Sequence, residues 1–128
     1  MSEQERRQRV HSEITREISE HMGRLQSEYY GRGPLKAKCY YTDDLVVVRL
    51  DETFTRAEKT LLDRGEKDTI QMIRRRFQQH MEGEFKAIVE QATGREVTIF
   101  LSETNIEKDV SVEIFFLGSD LTDMRGYE

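Results

Sequence analysis

The length, composition and charge of the chain limit what kind of protein it can be. Its 128 residues, 36% hydrophobic and 35% charged with a net charge of −5, fit one domain. No apolar run exceeds four residues, the length of residues 45–48, which falls far short of the roughly 20 residues of a transmembrane helix. The first ten residues contain no apolar signal segment, and a single cysteine cannot form an internal disulfide. We therefore expect a cytoplasmic protein that does not insert into a membrane.

Negative charge is concentrated near the C-terminus. Residues 1–95 carry a net charge of +1, whereas residues 96–128 carry −6. Because an acidic segment repels polyanions, nucleic-acid binding is disfavoured. We predict one domain over residues 1–117 and a polar acidic tail over residues 118–128.

The first predicted element is a long helix. Ser2 and Glu5 have capping-box spacing, and apolar residues then recur every three or four positions at Val10, Ile14, Ile18, Met22, Leu25 and Tyr29. Gly31 can end this helix in the left-handed conformation, and Pro34 prevents its continuation. Gly31-Arg32-Gly33-Pro34 is therefore best explained as a helix stop and tight connection. A phosphate-binding loop would instead follow a strand and precede a helix, although Arg32 still offers a cation here.

Two strands over residues 35–41 and 45–50 are predicted next, because Val46, Val47 and Val48 favour extended backbone. Thr55 and Glu58 form a second capping box that opens a short helix to about residue 62.

A second long helix is predicted over residues 66–92. Its apolar stripe is Ile70, Ile73, Phe77, Met81, Phe85, Ile88, Val89 and Ala92. Gly94 is placed to end it, and a second hairpin follows over residues 97–102 and 110–117. The predicted fold is α+β with element order α-β-β-α-α-β-β. Two β-hairpins form a four-stranded antiparallel sheet, with the two long helices packed on one face.

Alternation along the strands assigns residues to two faces of this sheet. The apolar set is predicted to face the helices: Ala37, Cys39, Tyr41, Val46, Val48, Leu50, Val97, Ile99, Leu101, Val112, Ile114 and Phe116. The mixed set is predicted to face away from them: Lys36, Lys38, Tyr40, Leu45, Val47, Arg49, Thr98, Phe100, Ser111, Glu113, Phe115 and Leu117.

The mixed face contains the candidate binding residues. They are Lys36, Lys38, Tyr40, Arg49, Phe100 and Phe115, with Arg32 as a nearby cation. Aromatic side chains among cations are the components of a base-stacking platform, and they could also line a small anion pocket. Apolar groups ringed by charges equally form a self-association surface, for which we predict a homodimer.

Catalytic and metal-binding constellations are not evident in the sequence. Metal binding needs several converging ligands, and HExxH, CxxC and GxSxG motifs are absent from the 128 residues. Cys39 falls on the predicted core face, where an inert thiol is expected. The run Arg74-Arg75-Arg76 is expected to be a solvated helix face, with an acidic docking site as the alternative. We expect no enzymatic activity, no cofactor and no metal.

The succession of these segments resembles the MpsC-like family, named after the third component of a bacterial cation-translocating, membrane-potential-generating system. The resemblance extends from the first helix to Leu117. The matching segments are Gly31-Arg32-Gly33-Pro34, Val48-Arg49-Leu50, Thr55-Arg56-Ala57-Glu58, Arg74 and Arg76 before Phe77, Thr93-Gly94-Arg95, and Phe116-Leu117. In this family, sodium or inorganic-carbon transport is associated with the integral-membrane components of the system.

The resemblance implies a small accessory or regulatory protein that binds another protein, such as a membrane transporter component. The alternative is an RNA- or small-anion-binding module that uses the mixed sheet face.

Overall fold

The computed structural model describes residues 1–118. Its elements are helix α1 Glu3–Tyr30, strands β1 Lys36–Thr42 and β2 Leu45–Asp51, helices α2 Arg56–Asp63 and α3 Lys67–Thr93, and strands β3 Val97–Asn105 and β4 Val110–Leu117. The predicted α+β class and element order are confirmed. The predicted acidic tail lies outside the described residues except for Gly118.

The helix ends follow the local signals in the sequence. The Ser2 side chain accepts a hydrogen bond from the Glu5 backbone N–H at 3.1 Å. Gly31 ends α1 with φ 79°, and Gly94 ends α3 with φ 69°. Left-handed backbone is costly for residues with a β-carbon, so glycine is favoured at both positions. Thr55 and Glu58 form the predicted capping box of α2.

The four strands form one antiparallel sheet in the order β1-β2-β4-β3. Strand β3 continues to Asn105, beyond the predicted end at residue 102. Thr104 pairs with Ser111 and Asn105 pairs with Val110, which reduces the connection to residues 106–109. A register shift lies between Val97 and Ile99.

Helices α1 and α3 pack on one face of this sheet. The buried apolar core contains Ile14, Ile18, Met22, Leu25, Cys39, Val46, Val48, Leu50, Met81, Phe85, Val89, Ala92, Val97, Phe115 and Leu117. Beside it, a smaller cluster of Phe54, Ile70 and Ile106 packs with Leu61 and Leu62 of α2.

The predicted faces are correct for the first hairpin and wrong for most of the second. Directly paired residues on adjacent strands share a face. Because Val48 is buried and pairs with Glu113, the side chain of Glu113 also faces the helices. The same register turns outward five residues that were predicted to be buried: Ile99, Leu101, Val112, Ile114 and Phe116.

Packing and backbone geometry account for this reversal. Phe115 is buried, and its ring centroid lies 5.0 Å from that of Phe100, which in turn lies 5.9 Å from that of Phe85. The irregularity after Val97 changes the alternation of β3, so Val97 and Phe100 both face the helices. Pairing and aromatic packing therefore override the simple alternation of apolar residues.

Candidate functional site

The side of the sheet away from α1 and α3 forms the principal exposed apolar surface, which we call the open face. Its apolar members are Tyr40, Leu45, Val47, Ile99, Leu101, Val112, Ile114 and Phe116. Tyr40 is 48% exposed, Ile99 50% and Leu101 52%. These side chains adjoin one another across all four strands, so they form a continuous patch.

Charged residues flank this apolar patch. Lys36 and Lys38 are exposed on β1, as predicted, and the Lys38 ammonium lies 5.0 Å from the centroid of the Tyr40 ring. Arg49 pairs with Lys38 in the strand register, and its Nε donates to Asp51 at 3.0 and 3.1 Å. The hydrogen bond to Asp51 raises the pKa of Arg49. Arg49 is therefore an already paired cation at the border of the patch.

Three other predicted binding residues do not lie on the open face. Phe100 and Phe115 were placed there wrongly, because they pack in the core with Phe85. Arg32 is half-buried in the connection after α1, where its Nη1 donates to the carbonyl of Phe54 at 2.8 Å. The predicted stacking platform thus loses two of its three aromatic rings, and the structure does not favour it.

The inner face of the second hairpin is unusually polar where it meets α1 and α3. Ser111 and Glu113 are buried there, and Ser102 and Thr104 are half-buried. With Gln26 of α1 and Arg74 of α3, these residues line a narrow space of only about 10 Å³. A volume of this size accommodates at most about one water molecule.

Glu113 is the titratable group most affected by this environment. Burial raises the pKa of its carboxyl to about 7, and this outweighs the lowering by a hydrogen bond with Ser102 and by the charge of Arg74. Within residues 1–118, Oε2 of Glu113 and Oε1 of Gln26 have no hydrogen-bond partner. Burial therefore shifts Glu113 toward its neutral form, and the carboxyl is about half protonated near pH 7.

Arg74 joins α3 to α2 through a buried ion pair, and to the segment before α2 through hydrogen bonds. Its Nε and Nη2 each donate to Glu58 at 2.6 Å, and Nη1 donates to the Thr53 hydroxyl at 3.0 Å. The guanidinium also lies 4.0 Å from the centroid of the Tyr30 ring and 4.8 Å from that of Phe54. The donors of Arg74 are thus occupied by contacts that hold the fold together.

Two of these residues were interpreted differently in the sequence. Glu58 was identified only as a cap, whereas it also binds Arg74. The run Arg74-Arg75-Arg76 was assigned to a solvated helix face. Arg75 and Arg76 are exposed, as expected, whereas Arg74 is buried, so the assignment is wrong for Arg74. Its burial could have been found, since it lies four residues after Ile70 on the apolar stripe.

Asp109 fixes the turn between β3 and β4 to the same segment. Its carboxylate accepts hydrogen bonds from the backbone N–H groups of Thr53, at 2.9 Å, and Phe54, at 3.0 Å. Asp109 itself adopts φ 53°, a conformation that Asp tolerates better than most residues. This contact was not predicted from the sequence, because it joins residues more than 50 positions apart.

Among residues 1–118, the structure contains neither a group of three or more His, Cys, Asp or Glu residues able to hold a metal ion nor a helix with the length and apolarity to cross a bilayer. Cys39 is buried, and burial raises the pKa of its thiol to about 12. That shift opposes formation of the nucleophilic thiolate at neutral pH.

Comparison with known families matches residues 11–119 to a family described as "Na+-translocating membrane potential-generating system (MpsC)". Neither the curated proteins nor the solved structures contain a significant match to the chain.

Proposed function

The chain belongs to the MpsC family, and from this premise we propose that it is a non-enzymatic accessory or regulatory protein that acts by binding other proteins. The open face is the observation that carries the proposal. Tyr40, Ile99 and Leu101 are each about half exposed on this face. Exposed apolar patches of this kind mark interaction surfaces more often than catalytic sites.

The interior polar residues support a non-enzymatic role. Catalysis needs groups that can reach a substrate, whereas Arg74 and Glu58 are less than 10% exposed and bind each other. Asp109 likewise accepts hydrogen bonds from the backbone of Thr53 and Phe54. These charged groups are thus held by contacts within the fold.

The occupant of the open face is proposed to be a second copy of the chain. Four strands at about 4.8 Å spacing and six residues at about 3.4 Å give a face of roughly 19 by 20 Å. That flat area, about 400 Å² per copy, is about half of the roughly 800 Å² per partner that a standard stable interface buries, so the expected association is weak. We therefore expect a homodimer with a dissociation constant in the micromolar range.

The oligomeric state tests this part of the proposal. Light scattering at several protein concentrations should find a dimer for the wild type and a monomer for Leu101→Glu. Met72→Glu is the matched control, because Met72 is 55% exposed on α3 while Leu101 is 52% exposed on the open face. A monomeric wild type at about 100 µM would contradict self-association of this strength.

The proposed cellular role is cytoplasmic support of a cation or inorganic-carbon transport system, with a transporter component as the further partner. The family description, which names Na+ translocation and membrane potential, motivates this role. A host strain lacking the chain should show reduced Na+-dependent membrane potential, measured with a voltage-sensitive dye. Wild type and Met72→Glu should restore the potential, whereas Leu101→Glu should not. An unchanged potential in the deletion strain would reject this role.

A further inference from the structure

The cross-strand register arranges the open face in rows that run from β1 to β3. One row contains Lys38, Arg49, Val112 and Glu103, and the next contains Tyr40, Val47, Ile114 and Leu101. The β1 edge carries Lys36 and Lys38, and the β3 edge carries Glu103. Arg49 and Asp51 of β2 bind each other beside these lysines, so the β1 side of the open face is net positive. The β3 edge is negative, and the apolar residues lie between the two.

From this charge distribution we infer that two copies stack their open faces about a two-fold axis parallel to the strands, with β1 of each copy over β3 of its partner. The inference rests on the self-association proposed above. It places Lys38 against the partner's Glu103, and Tyr40 against the partner's Leu101. Because a two-fold axis repeats every contact, each dimer contains the Lys38–Glu103 pair twice.

In the alternative face-to-face dimer, the two-fold axis also lies between the two sheets and parallel to them, but it runs perpendicular to the strands. That axis would place β1 over the partner's β1, with lysine-bearing edges together and glutamate-bearing edges together. Like charges across an interface are unfavourable, so the charged edges select the axis parallel to the strands. The apolar rows alone would not distinguish the two arrangements, because they extend across the sheet on both sides of its centre.

Sheet twist does not remove this complementarity. Stacked sheets cross at about 30°, and an edge strand lies about 7 Å from the centre of a four-stranded sheet. The rotation therefore moves an edge residue by about 4 Å, roughly one residue along a strand. Lysine and glutamate side chains are long enough to accommodate that displacement.

Cysteine cross-linking distinguishes the two axes. The background variant is Cys39→Ala, since Cys39 is the sole cysteine of the sequence. Differently tagged Tyr40→Cys and Leu101→Cys proteins are mixed and treated with a bismaleimide that spans about 8 Å. Within one chain these positions lie three strand spacings, about 14 Å, apart. We expect cross-links in the mixture and none with Tyr40→Cys alone.

Charge reversal gives an independent readout that retains the apolar contacts. Lys38→Glu and Glu103→Lys should each raise the dimer dissociation constant about tenfold at low salt, because each places like charges together twice. The double variant, with both reversals in one chain, should return to within about threefold of the wild type. Circular dichroism and thermal unfolding establish that each variant is folded.

Three results would overturn the inference. Cross-linking of Tyr40→Cys with itself would support the axis across the strands. A double reversal that binds no better than the weaker single variant, in a protein that otherwise dimerises, would reject the pairing but leave the proposed self-association intact. A wild type that remains monomeric would reject self-association itself, together with this arrangement.

Discussion

Replacement of Glu113 by Gln tests whether the inner face of the second hairpin holds a neutral carboxyl. Glu113 is 4% exposed, and burial raises its pKa from 4.5 to about 7. The charged and titratable groups facing this region are Arg74 of α3, Glu58 of α2, which binds Arg74, and Tyr30 of α1. Burial raises the pKa of Tyr30 to about 12, so it stays neutral near pH 7.

The shift fixes the sign and the size of the effect on stability. Between pH 4.5 and 7 the folded protein retains the Glu113 proton that the unfolded chain releases. The contribution of Glu113 to stability is therefore fully present below pH 4.5, falls as pH rises to 7, and is level above that value. A shift of this size corresponds to about 3 kcal/mol in the free energy of unfolding, as an order of magnitude.

Chemical denaturation followed by circular dichroism measures this effect. The stability difference, wild type minus Glu113→Gln, should become less favourable to the wild type by about 3 kcal/mol as pH rises, mostly between pH 4.5 and 7. Protein concentration is held constant so that association does not alter the comparison. Glu20→Gln, at an exposed position of α1 away from the open face, is the control for the loss of one surface carboxylate. A flat or rising difference for Glu113→Gln would refute the reasoning.

Three further predictions concern the fold. Arg74→Met should lower the free energy of unfolding by about 3–5 kcal/mol, because it leaves the Glu58 carboxylate buried and unpaired. The double variant Arg74→Met/Glu58→Met should recover much of this loss, as measured by urea titration of the double-mutant cycle. Gly31→Ala should destabilise the protein by about 1 kcal/mol, because Gly31 has φ 79°. Gly23→Ala should stabilise it by a similar amount in thermal unfolding, since Gly23 lies inside α1 and no atom lies within 4 Å of the new β-carbon. Buried Cys39, whose pKa is raised to about 12, should react with iodoacetamide at pH 7.5 at least about 100-fold more slowly than in urea, and comparable rates would contradict its burial.

The helices could be predicted because their signals are local. The stripe from Val10 to Tyr29, the glycine at 31 and the capping box at Thr55 each act within a few residues, and the observed helix ends agree with them. The first hairpin was also assigned correctly, since the buried side chains of Val46 and Val48 alternate with less buried neighbours.

The second hairpin could not be assigned in the same way because two apolar sets compete along β4. Val112, Ile114 and Phe116 form one set, while Phe115 and Leu117 continue the other. Alternation favours the first set, since the second also contains Ser111 and Glu113. The observed choice depends on pairing with β2 and on packing against α3, both of which are long-range.

The polar interior and the apolar open face are two consequences of this same choice. Turning Ser111 and Glu113 toward the helices necessarily turns Val112 and Ile114 outward, because strand side chains alternate. The opposite orientation would place the polar pair in water and the apolar pair in the core. The observed orientation has two costs. Burial of Glu113 disfavours its charged form and raises its pKa, and exposure of Val112 and Ile114 leaves apolar surface in contact with water. A partner over the open face would recover the second of these costs, so the inverted hairpin supports an interaction surface as the function of the sheet.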